Sequence, residues 1–324
     1  MRPFEYASPT TKEQALGLLG TTWGQAEVLA GGTDLLSLMK DDVVHPRRLV
    51  NIKQIKEMSG VSVTPKGLRI GALTTLAELA DNVNVVKDYP ALAEAINDAA
   101  SPQIRNMATI GGNLCQRPRC WYFRGGYGLL GMKDGKSLIP NGDNRYHAIL
   151  GGGPAYFVSA SSLGPALVAL GARVTLKSGT GSRTIPVEQF FVVPQNDKMR
   201  EIALKPHEIL TEIVIPTTRG RNATHEIRQR EAVDWPLATA SVHLSMDGSS
   251  IVHARVILGH VAPTPWAAKK AEALLAGKQP SDDLIQQAAE AAVDGAQPLS
   301  DNAYKVQLTR VAVKRALMEA TQRA

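Results

Sequence analysis

The chain has 324 residues and a mass of 34.7 kDa, enough for two domains that each bury a core. Hydrophobic residues make up 44% and charged residues 20%, a globular balance that sets aside a disordered chain. The formal charge of +6 comes from 36 Lys and Arg against 30 Asp and Glu spread along the chain, without the basic clusters and stacking aromatics of a nucleic-acid surface.

Aromatic residues are 5%, so the core is expected to be aliphatic. Two cysteines, Cys115 and Cys120, set aside a disulfide framework and most cysteine-rich metal sites, and the seven histidines have no metal-ligand spacing. Met1-Arg2-Pro3-Phe4 begins no secretory signal, and no window is apolar for long enough to span a bilayer. The expectation is a cytoplasmic chain with no membrane partner and no nucleic acid.

In chain order, residues 10–19 carry a helical pattern with Thr10 or Thr11 as N-cap. Glu27-Val28-Leu29 reads as a buried strand. It runs into Ala30-Gly31-Gly32-Thr33-Asp34, and then Leu35, Leu36, Leu38 and Met39 take helical spacing. A strand at 49–52 and a hairpin at 61–70 follow, the latter turned at Thr64-Pro65-Lys66-Gly67. Residues 90–100 are helical, with Leu92, Ala95, Ile96 and Ala99 on one face. The stretch 116–144 lacks periodicity and is rich in Gly, Arg and Lys. It reads as a long loop, a kind of segment that is usually functional or disordered. Regular structure is expected again at 147–150. A helix at 163–170, strands at 173–177 and 183–185 turned at 179–181, and a strand at 212–215 complete this part.

Residues 217–222 have linker composition. Beyond them, strand-like runs at 224–230, 237–246 and 251–259 precede helical runs at 267–275, 282–293 and 304–320. Strands followed by helices indicate a separate α+β domain.

Two short motifs carry chemistry. In Leu29-Ala30-Gly31-Gly32-Thr33-Asp34, two glycines between a strand and a helix let the backbone approach a ligand closely. Successive N–H groups in such a turn form an anion nest at the helix N-terminus, and a pyrophosphate fits it. Thr109-Ile110-Gly111-Gly112-Asn113-Leu114 repeats the logic. Each motif is also compatible with a plain tight turn. G-x-G-x-x-G after a strand is absent, so an extended dinucleotide would have to lie across both turns.

These motifs and their surroundings resemble the FAD-binding medium subunit of the xanthine dehydrogenase and carbon monoxide dehydrogenase family. The resemblance runs from Phe4-Glu5-Tyr6 to the last helix. It is carried by Leu-Ala-Gly-Gly-Thr-Asp-Leu-Leu at 29–36, Gln-Ile-Arg-Asn at 103–106, 109–114, Phe190-Phe191, Glu208-Ile209-Leu210 and Ile215-Pro216. It implies an α+β chain: an FAD fold of two α/β subdomains over 1–216, of the PCMH type, then a small α+β domain over 222–324. By resemblance, Leu29, Ala30, Gly31, Gly32, Thr33 and Asp34 hold the pyrophosphate. Ala100, Thr109, Gly112 and Asn113 line the second half of the cleft, Leu210 packs near the flavin ring, and Arg228 sits by it. For Arg228, a solvated strand charge is an equal alternative.

Two departures stand out. Where the family has Ser-Asp-Leu, this chain has Ser161-Ser162-Leu163, so Ser162 replaces a carboxylate that contacts the flavin. Residues 114–124 resemble a branch whose insertion carries a [4Fe–4S] cluster. A cluster needs four thiolates, of which Cys120 matches one, so no cluster is expected. A structural role is expected for His147. The resemblance implies an oxidoreductase subunit with two partners, a large molybdenum-cofactor subunit and a small [2Fe–2S] subunit, as a heterotrimer or a dimer of heterotrimers. FAD would collect electrons singly and pass them in pairs to NAD, oxygen or another acceptor. An independent flavoenzyme and an FAD-less scaffold are the alternatives.

Overall fold

The computed structural model describes residues 1–217, 220–230 and 233–323. Part of the 217–222 linker reading lies outside the described residues. Strands β1 (Glu5–Ala7), β2 (Ala26–Leu29) and β3 (Arg48–Asn51) pair in parallel in the order β1-β3-β2. The connections carry helices Lys12–Gly17, capped by the Thr11 side chain, and Leu35–Lys40. Leu29 pairs with Asn51, so β2 and β3 end level and the first glycine turn leaves from the carboxyl edge of the sheet.

The hairpin is β4 (Val61–Thr64) and β5 (Gly67–Gly71). Five helices follow: Leu76–Ala80, Val83–Asp88, Pro90–Asp98, Pro102–Arg105 and Ile110–Cys115. The sequence reading found one of them, over 90–100. The others have four to six residues, too few for a 3.6-residue period to register. Their caps were the available signal: Thr75 with Glu78 in a capping box, then Asn82, Ser101 and Thr109.

The stretch 116–144 is ordered rather than a long loop. It contains helix Trp121–Arg124 and a hairpin of β6 (Met132–Lys133) and β7 (Lys136–Ser137). Cys120, Phe123, Leu129, Leu130 and Ile139 share a small core with Leu38 and Phe157. Asn144 ties the stretch to the tail, donating to Ser300 Oγ and accepting from Asp301 N, both at 2.9 Å. Residues 147–150 form no strand. They are held by Ile149 N and Leu150 N donating to Val261 O, and by the buried Lys305 ammonium donating to the carbonyls of Tyr146, His147 and His260.

Strands β8 (Arg173–Ser178), β9 (Gly181–Pro186) and β10 (Ile209–Ile215) join β4 and β5 in an antiparallel sheet of order β4-β5-β10-β8-β9. The tail sheet runs β11 (Arg221–Arg228), β12 (Pro236–Asp247), β13 (Ser250–Gly259) and β14 (Trp266–Ala267) in sequence order. Helix Tyr304–Gln322 packs on one side of β12 and helix Leu163–Ala169 also touches it. Ala238, Ala240, Val242 and Leu244 enter the tail core, while Thr239, Ser241 and His243 are buried on the alternate positions. Those polar positions are satisfied in part by partners such as Thr224 Oγ1 for Ser241 and His260 Nδ1 for Thr239. The architecture is α+β throughout. Among the described residues no helix is long and apolar enough to cross a membrane.

Candidate cofactor site

A large cleft lies where the parallel sheet, the antiparallel sheet and residues 113–119 meet. Of the sequence-predicted site residues, Ala30, Gly31, Gly32, Thr33, Asp34, Ala100, Thr109, Gly112, Asn113, Ser162 and Leu210 line it. Leu29 and Arg228 do not. Leu29 is buried against Met39 and Leu49 beneath the turn.

The first turn has the geometry of an anion nest. Gly32 adopts φ +77°, the left-handed region that costs other residues about 1–2 kcal/mol. A Cβ on Gly31 would stand 1.9 Å from the Met107 carbonyl oxygen, so glycine is what lets the first turn touch the approach to the second. Among the described residues, the N–H groups of Gly31, Gly32, Thr33 and Asp34 donate to no protein acceptor. Four consecutive free donors at a helix start, with the Lys53 ammonium on the Ala30 carbonyl at 3.0 Å, fit a pyrophosphate.

Asp34 does not cap its own helix. Its carboxylate accepts Arg117 N and Arg124 Nη2, both at 2.8 Å, and forms an ion pair with Arg119 Nη1 at 2.9 Å. A carboxylate beside a phosphate would be repelled, and here it is turned to hold three donors of residues 117–124. Arg117 also pairs with Glu201, and Arg119 stacks on Trp235 with 4.3 Å from guanidinium to ring. Arg200 pairs with Glu27 and lies 3.9 Å over Trp23. Arg117, Arg119, Arg200 and Trp235 all line the cleft, and none was assigned to the site from sequence. The arginines sit in stretches without period, and their partners are 83 to 173 residues away, so no local signal pointed to them.

The second turn differs from the first. Ile110 N, Gly111 N, Gly112 N and Asn113 N donate to Thr74 O, Ala72 O, Thr109 Oγ1 and Thr109 O. Its donors are spent inside the protein, so it is a wall and not a second nest. Gly111 is required by packing: its Cβ would lie 2.9 Å from both the Cβ and the carbonyl oxygen of Ala72. Asn113 Oδ1 accepts Ser161 Oγ at 2.7 Å and Leu163 N at 3.3 Å. Ser161 Oγ in turn accepts Gly164 N, which leaves the Ser162 hydroxyl in the cleft with no side-chain cap bond. Leu210 is aimed there by a register shift in β10 between Leu210 and Glu212.

A second cavity of about 230 Å³ shares Arg119 and Trp235 with the cleft and is lined also by Cys120, His147 and His260. Cys120 Sγ is 3.1 Å from His147 Nε2. Burial pushes the Cys120 thiol up and His147 down to about 4, so thiol and imidazole form a neutral hydrogen-bonded pair. Burial also pushes Cys115 up to about 12. Both thiols are free, and no group of three or more metal-donor side chains occurs among the described residues.

Residues 2–218 match the FAD binding domain in molybdopterin dehydrogenase, and residues 223–320 match the CO dehydrogenase flavoprotein C-terminal domain. The chain is 30% identical over 326 residues to the carbon monoxide dehydrogenase medium chain of Hydrogenophaga pseudoflava, covering 99% of this chain and 98% of the relative. It is 31% identical over 342 residues to the aldehyde oxidoreductase FAD-binding subunit PaoB of Escherichia coli K12, covering all of both. Among solved structures, carbon monoxide dehydrogenase from Hydrogenophaga pseudoflava superposes with a TM-score of 0.78 at 30% identity, over 99% of this chain and 98% of that one. A Cu,Mo-CO dehydrogenase superposes with 0.79 at 26% identity, over the full length of both chains.

Proposed function

The chain belongs to the FAD-binding family of the molybdopterin dehydrogenases, and from that premise we propose that it is the medium subunit of a xanthine dehydrogenase or aldehyde oxidoreductase type of complex, taking electrons from a partner's [2Fe–2S] clusters and passing them to an external acceptor. The observation that carries the cofactor assignment is the run of four free N–H groups from Gly31 to Asp34. With it, Ala30 to Asp34 hold the pyrophosphate through the backbone. Ala100, Thr109, Gly112, Asn113, Ser162 and Leu210 form the remaining wall, and Leu29 supports the turn from below. FAD supplies one chemistry when bound: it accepts electrons singly and releases them in pairs.

The protein's own residues bind, orient and shield. Asp34 fastens residues 117–124 at the cleft, and the stacked Arg119 and Trp235 form part of its lining. The Ser162 hydroxyl offers a hydrogen bond without a charge. In this reading, hydroxylation of a substrate with water belongs to a large molybdenum-cofactor partner. Assembly as a heterotrimer or dimer of heterotrimers, a division into domains 1–216 and 222–324, and a cytoplasmic location complete the reading. Acid precipitation of the purified chain is expected to release FAD in near-equimolar amount. FMN in its place, or no flavin from a folded chain, overturns the assignment.

A further inference from the structure

Arg228 ends β11 in the tail, yet it reaches the cleft's framework. Helix Pro90–Asp98 runs into a turn whose residues Ala99 and Ala100 line the cleft. Ala100 sits at φ +52°, a left-handed conformation that a non-glycine residue keeps only where its surroundings over-determine it. The surroundings here are two guanidinium groups. Arg228 Nη2 donates to Asp98 O at 2.5 Å and pairs with Asp98 Oδ1 at 3.2 Å. Arg105 Nη1 donates to Ala99 O at 3.0 Å and Ala100 O at 3.2 Å. Three consecutive carbonyls at a helix end, which would otherwise need a cap, thus all accept hydrogen bonds from arginine.

Arg105 is the arginine of the Gln103–Asn106 motif, and neither it nor Arg228 lines the cleft. Arg228 is 12% exposed and steadied by Glu226 Oε2 at 3.0 Å. The same strand holds the rest of the helix. Asn222 Oδ1 accepts Ala91 N at 2.9 Å, and Thr224 N donates to Glu94 Oε2 at 2.6 Å. Asn222, Thr224, Glu226 and Arg228 recur every second residue, so one face of β11 grips the helix from start to end.

We propose that Arg105 and Arg228 are positioning residues for the cofactor: together they lock the Asp98–Ala100 turn, so that one wall of the cleft is set from the tail, without either arginine touching the cofactor. The proposal rests on the FAD reading above. It gives the tail a part in cofactor binding and gives the Gln-Ile-Arg-Asn motif a physical task.

The test uses the full-length chain and the variants Arg105→Met, Arg228→Met, Arg228→Lys and Arg323→Met. The last removes a contact to Glu94 in the middle of the same helix, away from the cleft. Two quantities are read: FAD dissociation constant by flavin fluorescence, and hydrogen exchange of the amides at 99–101 in the cofactor-free chain. Arg105→Met and Arg228→Met are expected to weaken FAD at least tenfold and to speed that exchange at least tenfold. Lysine at 228 recovers part of both, and Arg323→Met changes neither. Wild-type affinity and exchange in both methionine variants overturn the clamp, as does an equal loss in Arg323→Met. A wild-type chain that takes no FAD overturns the functional reading itself, and with it the clamp's role at the cofactor. The exchange data then report separately whether the turn is held.

Discussion

Gly31→Ala is the most informative single perturbation. The added Cβ would stand 1.9 Å from the Met107 carbonyl oxygen and 2.7 Å from its carbon. Both are backbone atoms, so no side chain can swing aside. Ordinary contact requires the two segments to separate by about 1.5 Å. Overpacking of this kind costs about 1–3 kcal/mol of stability. The consequence for binding is larger, because one segment carries the four free N–H groups and the other leads into Thr109. Hydrogen bonds to a charged group contribute about 1.5–3 kcal/mol each, so misaligning two of the four weakens FAD by at least about a hundredfold. Gly17→Ala is the matched control: its Cβ would meet nothing within 4 Å, at the end of a helix where alanine is favoured and outside the cleft lining. Flavin content after gel filtration and a denaturant midpoint measure both effects. A Gly31→Ala chain that keeps stoichiometric FAD and wild-type stability refutes the nest.

Further outcomes follow from the same geometry. Asp34→Ala leaves Arg119 and Arg124 without their shared carboxylate, which is 14% exposed; a loss of about 2–4 kcal/mol is expected, and trypsin should cut after Arg119 or Arg124 markedly faster. A cleavage rate equal to wild type would show that Asp34 is not the fastener. Burial holds His147 and His243 down to about 4 and His260 down to about 3, while it holds Glu226 up to about 8. On unfolding between about pH 4.5 and 6, the three imidazoles take up protons and Glu226 gives one up. The net uptake is about two protons, so stability is present above the ordinary histidine value and falls by about 3 kcal/mol per unit as pH drops through that window. A flat urea midpoint from pH 6.5 to 4.5 contradicts this. Iron analysis of the purified chain is expected at background, given two free thiols; four irons per chain would require other ligands or a partner.

The first glycine turn was legible as a turn with close backbone approach because its signal is local: two glycines stand between an apolar strand and an apolar helix, although that signal alone fits a plain tight turn as well as an anion nest. The second turn looked equivalent in sequence; the difference lies in Ala72 and Thr74, whose carbonyls take two of its donors from more than thirty residues away, and in Thr109, which takes the other two. Residues 116–144 read as a loop because Asp34 and Asn144 order them through contacts outside the segment. Arg228 was placed by resemblance beside the cofactor, with a solvated strand charge as the equal alternative; its guanidinium is 12% exposed and turned onto Asp98 and Glu226, 130 residues and two residues away, outside the cleft lining. The tail's order of strands then helices came through because β12, β13 and the last helix are long enough for their periods to show.

The electron-transfer role is tested most directly by mixing substrate anaerobically with the isolated holo-chain and with the complex reconstituted from all three subunits. Bleaching of the visible flavin band is expected in the complex and not in the isolated chain, for an aldehyde or a purine alike. If the isolated chain bleaches with either substrate, it acts on that substrate directly and is an independent flavoenzyme.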